Sequence, residues 1–485
     1  MKKMVKKYPF SGRVLFLGMG AVAQNLLSIC LKRMDIDWAK VTIIDMKKKE
    51  GPDVTEALKR GAKFVAVRIE PGNFEEVISM HAGKGDLIID LTWNIETLDL
   101  LQLIEKIGAN YINTSVEVWD PYDRSDKKLH EQTLYHRQMM MRETIGDFCG
   151  GKRPTMILDH GANPGMVSHL TKELIKKIWK ERRKGVKRPA HFSEAAADLG
   201  IRVIHISERD SQKDMTPFDP NTFPNTWSVE GFYEEGTAPA ELGYGSHEEG
   251  LPHNGLEFSS GPKNEILLRA TGYDVQARSW VPSGPITGYI IRHGEAFSIS
   301  EYLTHKKRGK EYRPTVHYVY CPSEQAQFAI AELDARNYRM LPKTRIMRDE
   351  ITEGRDELGV MIFGIDPKAK KGERADYGYW YGSTLAIDEA REMTPHHNAT
   401  TLQVAGAVFG AMIWMIENPE KGILLPDWVD EKGSEQIFGI ASEFWAPLEF
   451  HKVQWRPEGE GKFLLTDFLE KNGEEESVHR DDFLK

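Results

Sequence analysis

Residues 14–27 read VLFLGMGAVAQNLL, and this stretch decides the fold. Residues 13–17 are short and apolar enough for a strand, and residues 21–33 carry one apolar face at helical spacing. Between them Gly18, Met19, Gly20, Ala21, Val22 and Ala23 form a G-x-G-x-x-A pattern. Gly18 permits the tight turn, Gly20 lets the backbone approach a pyrophosphate, and Ala23 allows close helix–strand packing. The helix N-terminus adds unpaired N–H groups. The next strand, KVTIID, ends at Asp45, 25 positions beyond Gly20. An acid there accepts bonds from ribose hydroxyls and repels a 2′-phosphate, so NAD is expected rather than NADP.

Working outward, further strands are expected at 63–69, 87–91 and 111–114, with helices at 53–60, 73–82, 96–107 and 128–148. Strands alternating with helices imply right-handed crossovers and a parallel sheet covered on both faces. After about residue 160 the texture changes. Aromatic, glycine-rich β-like runs (IRVIHIS, EILLRA, ITGYIIRH, RPTVHYVY) suggest a mainly antiparallel sheet, with helices at 163–182 and 322–336. Asn398 can cap a helix of small and apolar residues over 398–417. The fold class is α/β: a doubly wound Rossmann domain plus an α+β substrate and dimerisation domain. The expected division is 1–160, with 398–417 returning to pack on it, then 161–395, then a C-terminal extension over 418–485 ending in a polar, acidic, partly ordered tail.

At 485 residues the chain is too long for a single core. A net charge of −9 gives no general attraction to nucleic acid or anionic lipid, and the basic run at 176–188 reads as a solvated helix face. Cys30, Cys149 and Cys321 are scattered and form no C-x-x-C, so neither a disulfide framework nor a cysteine-based metal site is expected. A reducing, cytoplasmic compartment fits. The N-terminus mimics a signal peptide, but Pro9, Ser11, Gly12 and Arg13 interrupt it. The apolar stretch 402–416 contains Gln403 and is short for a membrane span, so it reads as a buried helix.

Several segments carry chemistry. DHGANPGMVS (159–168) places Asn163, Pro164 and Gly165 in a turn entering a helix, where N–H groups and the Asn163 amide can face a cofactor. Thr92 and Thr114, at the ends of the fourth and fifth strands, are expected beside the same cofactor. HISERD (205–210), NTWSVEGFYEEG (225–236) and YIIRHGE (289–295) supply Glu208, Trp227, Glu235 and His293 as candidates at strand ends.

These segments resemble one family, the bacterial homospermidine synthases, relatives of the saccharopine dehydrogenases. The resemblance spans nearly the whole chain. Its marks are GANPGMVS, IHISERDSQ, NTWSVEGF, EGTAPAELGYG, RSWVP, ISEYL, YRPTVHYVY, DELGV, YWYGS, and the NATTLQVAGAV helix with its ENPEKGI end. It implies a redox-neutral aminobutyl transfer. NAD takes a hydride from one putrescine, a second putrescine attacks the imine, ammonia leaves, and the hydride returns to give homospermidine; putrescine with spermidine is a variant. The resemblance implies that Trp227 contacts the charged substrate and that Glu208, Glu235 and Glu117 are the carboxylates of the site. It also assigns Asn163, His293 and Asp356 to the site, and implies a homodimer formed through the second domain. DLTWNIET (90–97) carries Asn94 where the family pattern has an aspartate, so an amine subsite or the preferred diamine length is expected to differ.

The chemistry fits independently of the family. A diamine arrives as a dication, with amine pKa values near ~10, and hydride loss needs one amine deprotonated. Glu208 or His293 can take that proton. Glu117 or Glu235 suits the distal ammonium, and Trp227 offers cation–π attraction of roughly 0.5–2 kcal/mol. A closed site keeps water from the imine. The alternative is a saccharopine- or carboxyspermidine-type dehydrogenase, which must clamp a carboxylate; Arg202, Arg209, Arg278 and Arg292 are the candidates. A non-catalytic NAD-binding sensor is a third reading.

Overall fold

The computed structural model describes residues 6–470 except 125, 147, 149–151 and 373. Val14–Leu17 is buried on both faces, as a central parallel strand must be. It pairs in parallel with Val41–Asp45 on one side and Leu87–Asp90 on the other. Lys63–Ala66 extends the first side; Asn110–Asn113, Met156–Ile157 and Ile423–Leu424 extend the second. All the pairings are parallel. This is the doubly wound sheet expected, with Ala21–Arg33 as its first helix. The last two strands, of two residues each, went unanticipated. The expected helix over 128–148 is instead a short 3-10 turn, Leu129–Gln132, followed by Leu134–Ile145.

The second sheet has ten strands among the described residues, built around Ile201–Asp210. Thr315–Cys321 pairs with it in parallel and Arg355–Ile365 antiparallel; every other pairing in the sheet is antiparallel. Side chains alternate between faces. One face of the central strands therefore carries Glu208 and Asp210 beside Tyr318, Tyr320 and Asp356, since Tyr320 registers with Glu208 and Asp356 with Asp210.

Ala399–Glu417 lies against that face and against Ala21–Arg33. Asn398 caps it by accepting from Thr401 N–H, and Thr401 Oγ1 accepts from Asn25 across the sheets. At 19 residues and mean hydropathy 1.6 the helix is long and apolar enough to cross a membrane, but 89% of its most apolar window is buried within the protein.

Residues 418–470 do not trail off as an extension. Ile423–Leu424 joins the parallel sheet, Glu431–Ala441 packs on the long helix, and Leu448–Lys452 edges the antiparallel sheet beside Asp376–Ala386. The acidic stretch from 471 onward lies outside the described residues.

Candidate active site

A cleft of about 610 Å³ runs along the ends of the parallel strands and under the second sheet. At one end Gly18 has φ +79°, and a Cβ there would come within 2.8 Å of Leu91 O. Gly20 is different: a Cβ there would meet nothing within 4 Å. Protein packing does not require glycine at that point, and the open space leaves the backbone approachable by a ligand. Gly20 also begins the helix without a side-chain cap, and the first turn holds no acid, so its N–H groups remain available to a pyrophosphate. Met19, Ala21, Val22 and Ala23 line the same end. Asp45 Oδ2 accepts from Met19 N–H at 2.9 Å, and Oδ1 from Lys47 N–H at 3.1 Å. Thr92, Thr114, Asn163 and Pro164 also line the cleft, with Thr114 and Pro164 both packed around Gly161. Thr92 Oγ1 donates to buried Asp90, which also accepts from Tyr111. These features fit a dinucleotide laid along the strand ends.

The far end is acidic and aromatic. Glu208 Oε2 accepts from Tyr318 Oη at 2.6 Å and from Asn163 Nδ2 at 3.0 Å. Burial pushes Glu208 up to about 7 against those two bonds, and Asp210 adds to the rise. Glu117, accepting from Ser115 at 2.6 Å, is pushed to about 7 by burial and by Glu234, while Arg137 opposes the shift. Glu235 is raised by burial, with His293 opposing. Trp227 donates Nε1–H to Tyr320 Oη at 3.2 Å and packs on Phe232. Asn94 lines this end at φ +79°. Asn and Asp tolerate that left-handed conformation best among residues with side chains, so backbone geometry narrows the choice there.

Two expectations need correction. Asp356 does not line the cleft: it is fully buried one layer behind, with Oδ2 accepting from Thr400 Oγ1 at 2.5 Å. It is therefore not a substrate contact; Thr400, whose hydroxyl is bonded to it, lines the cleft in its place. His293 lines the cleft but is no free base. Burial opposes its charge, yet Glu295 and Glu235 beside it push it up to about 10, so at neutral pH it is an imidazolium.

None of the four candidate clamp arginines lines the cleft. Arg202 bonds Lys462 O, Arg209 bonds Ser283, Arg278 pairs with Glu458, and buried Arg292 pairs with Glu234. Sequence reasoning missed Tyr318, Glu230 and Arg348, which do line it. Arg348 reaches Gln24 at 2.9 Å, at the glycine-rich end. Only its distance from any motif hid it.

Comparison with known proteins agrees with this geometry. Residues 14–148 match the saccharopine dehydrogenase NADP binding domain, and 161–441 the saccharopine dehydrogenase C-terminal domain. A homospermidine synthase of Mesorhizobium japonicum is 32% identical over 95% of this chain and 94% of its own. One from Blastochloris viridis is also 32% identical, over 92% of both chains. The crystal structure of the homospermidine synthase of Legionella pneumophila, solved in complex with NAD, superposes with a TM-score of 0.84 at 34% identity, covering 96% of this chain and 99% of that one. The chain belongs to the homospermidine synthase family.

Proposed function

We propose that this protein makes homospermidine and ammonia from two putrescines, using NAD without net oxidation, and that putrescine with spermidine serves as a variant pair. The observation that carries the reading is the far end of the cleft: Glu117, Glu208 and Glu235 surround it with Trp227, and no candidate carboxylate clamp faces it. Such an end selects a cation, not an amino acid. The resemblance of the sequence points to a homodimer through the second domain, and the scattered cysteines to a cytoplasmic location.

NAD, held by the Gly18–Ala23 turn, Asp45, Thr92, Thr114, Asn163 and Pro164, supplies a hydride acceptor and then a donor. The chain's own residues do the rest. Glu208 takes a proton from the reacting amine, with Oε2 fixed by Tyr318 and Asn163. Glu117 holds the distal ammonium, Glu235 stands at the reacting end beside His293, and the Trp227 ring faces the cationic C=N. Burial of this end keeps water from hydrolysing that bond.

The test is incubation with putrescine and a catalytic amount of NAD. Homospermidine and ammonia should appear in equal amounts over many turnovers per NAD, with no NADH accumulating. Stoichiometric NADH would favour the dehydrogenase alternative.

A pH dependence follows from the acids. Glu117 and Glu208 bind protons more tightly in the folded protein than in the unfolded chain, since both rise from 4.5 to about 7. The free protein therefore loses stability as pH climbs between those values. A bound dication favours the ionised forms and reverses the loss. Putrescine should raise the melting temperature more at about pH 8 than at about pH 6, and its affinity should rise about tenfold from the lower pH to the higher for each acid engaged. Calorimetry in two buffers should show proton release on binding near neutrality.

A further inference from the structure

Both ring nitrogens of His293 face carboxylates, which arrive from different helices. Glu235, on Val229–Thr237, sets Oε2 3.2 Å from Nε2. Glu295, in the first turn of Gly294–Tyr302, sets Oε1 3.3 Å from Nδ1. Glu235 lines the cleft; Glu295 does not. Glu295 is 1% exposed, and neither its oxygens nor His293 Nδ1 has a hydrogen-bond partner among the described residues, so the two meet as an ion pair. The imidazole is the cation that stands against it. A ring set between two carboxylates presents a donor at each nitrogen only when doubly protonated.

The remaining surroundings of His293 favour the same state. The ring of Tyr318 lies 4.4 Å away, with its hydroxyl committed to Glu208, whose carboxylate also faces the histidine. Asp159 adjoins from below: Gly294 makes room for it, since a Cβ there would come within 2.5 Å of Asp159 Oδ2. Asp159 itself is pushed to about 7 by burial and by Glu295. Arg292, next in the chain, is turned away onto Glu234.

We propose that Glu295 is a positioning residue for the reaction above: from behind the cleft it keeps His293 doubly protonated and turned onto Glu235, which handles the proton exchanged between the two amines. The inference rests on the proposed function. In that exchange the second putrescine nitrogen adds to the C=N carbon and gives one proton to Glu235. The first nitrogen then takes that proton, keeps the electron pair of its breaking C–N bond and leaves as ammonia. The lone pair of the second nitrogen forms the new C=N. The charge on His293 keeps Glu235 acidic enough to give the proton back.

The test is Glu295→Gln, which preserves shape and removes the charge. At about pH 9 its kcat should fall about tenfold, because one of the two carboxylates that hold the charge on His293 is gone and the ring loses its proton at lower pH. At about pH 6.5, where the ring recharges, kcat should return to within about twofold of wild type, with KM for putrescine little changed. Glu295→Asp, which retains the charge, should keep the wild-type profile. A second readout needs no turnover. Stability from a histidine raised from 6.5 to about 10 is complete below the lower value and lost as pH rises through the upper one. The melting temperature of the free wild type should therefore decline toward about pH 10, while that of Glu295→Gln should finish declining at a lower pH. Melting curves that differ only by a constant offset, or a kcat loss equal at both pH values, would overturn the inference. Should the wild type make no homospermidine, the proposed function fails first, and the melting curves still report on Glu295.

Discussion

Glu208→Gln is expected to lower kcat for putrescine by about 10³-fold, within the 10²–10⁴ range of general base catalysis. The amide keeps the shape, and its oxygen can still accept from Tyr318 and Asn163, but it cannot take a proton. The magnitude follows from the proton's route. An ordinary amine sits near ~10, three units above Glu208 at about 7, and three units are about 4 kcal/mol. Stripping water from the reacting ammonium lowers its own pKa and narrows that gap, which is why a base lifted by burial works where an exposed carboxylate would not. The buried pair Asp210 and Asp356 contributes from behind: Asp210 adds to the rise of Glu208, and Asp356 is itself pushed well up by burial and by Glu208. Steady-state rates at about pH 8, with NAD titration and a melting curve to show an intact fold, check the result. A kcat within about tenfold of wild type would mean that another group takes the proton.

The half of the fold built on local pattern was readable. The first helix occupies residues 21–33, as its apolar face requires, and Asp45 ends its strand. What could not be read depends on partners remote in sequence. Met156–Ile157 and Ile423–Leu424 are two residues each and form a strand pair only because the chain returns after the long helix. Arg355–Ile365 and Asp376–Ala386 are 11 residues each, yet they show little alternation because both faces are buried. Apolar or aromatic residues fall on both faces of each strand, so the two-residue period is hidden. ITGYIIRH shows the reverse error: the strand stops at Tyr289, and the segment that follows brings His293 to the cleft at the start of a helix.

The site divides in the same way. Residues inside a turn or motif, such as Gly20, Asn163 and Trp227, reach the cleft because local geometry puts them there. Tyr318 reaches it by register, two positions before the residue opposite Glu208. Asp356 shares that sheet face but is covered by Thr400 of the long helix, and no spacing within DELGV could reveal the cover. The charge of His293 depends on Glu295, two positions away yet useful only because a helix begins between them and buries it.

Trp227→Ala is expected to lower kcat/KM for putrescine about 30-fold, while Trp227→Phe stays within about fivefold. A cation over an indole in a desolvated site gains about 2 kcal/mol, and 1.36 kcal/mol is tenfold. Phenylalanine retains an aromatic face and the packing on Phe232 but gives up the bond to Tyr320; alanine removes all three. The ratio between the two variants is the informative quantity, because a packing role alone would lower the melting temperature of the alanine variant and leave the two rates alike. The effect should be larger in kcat than in KM if the ring meets the developing C=N cation, and larger in KM if it meets the resting ammonium. Equal rates for the two variants would take Trp227 out of the site and leave the carboxylates of the cleft to hold the charge.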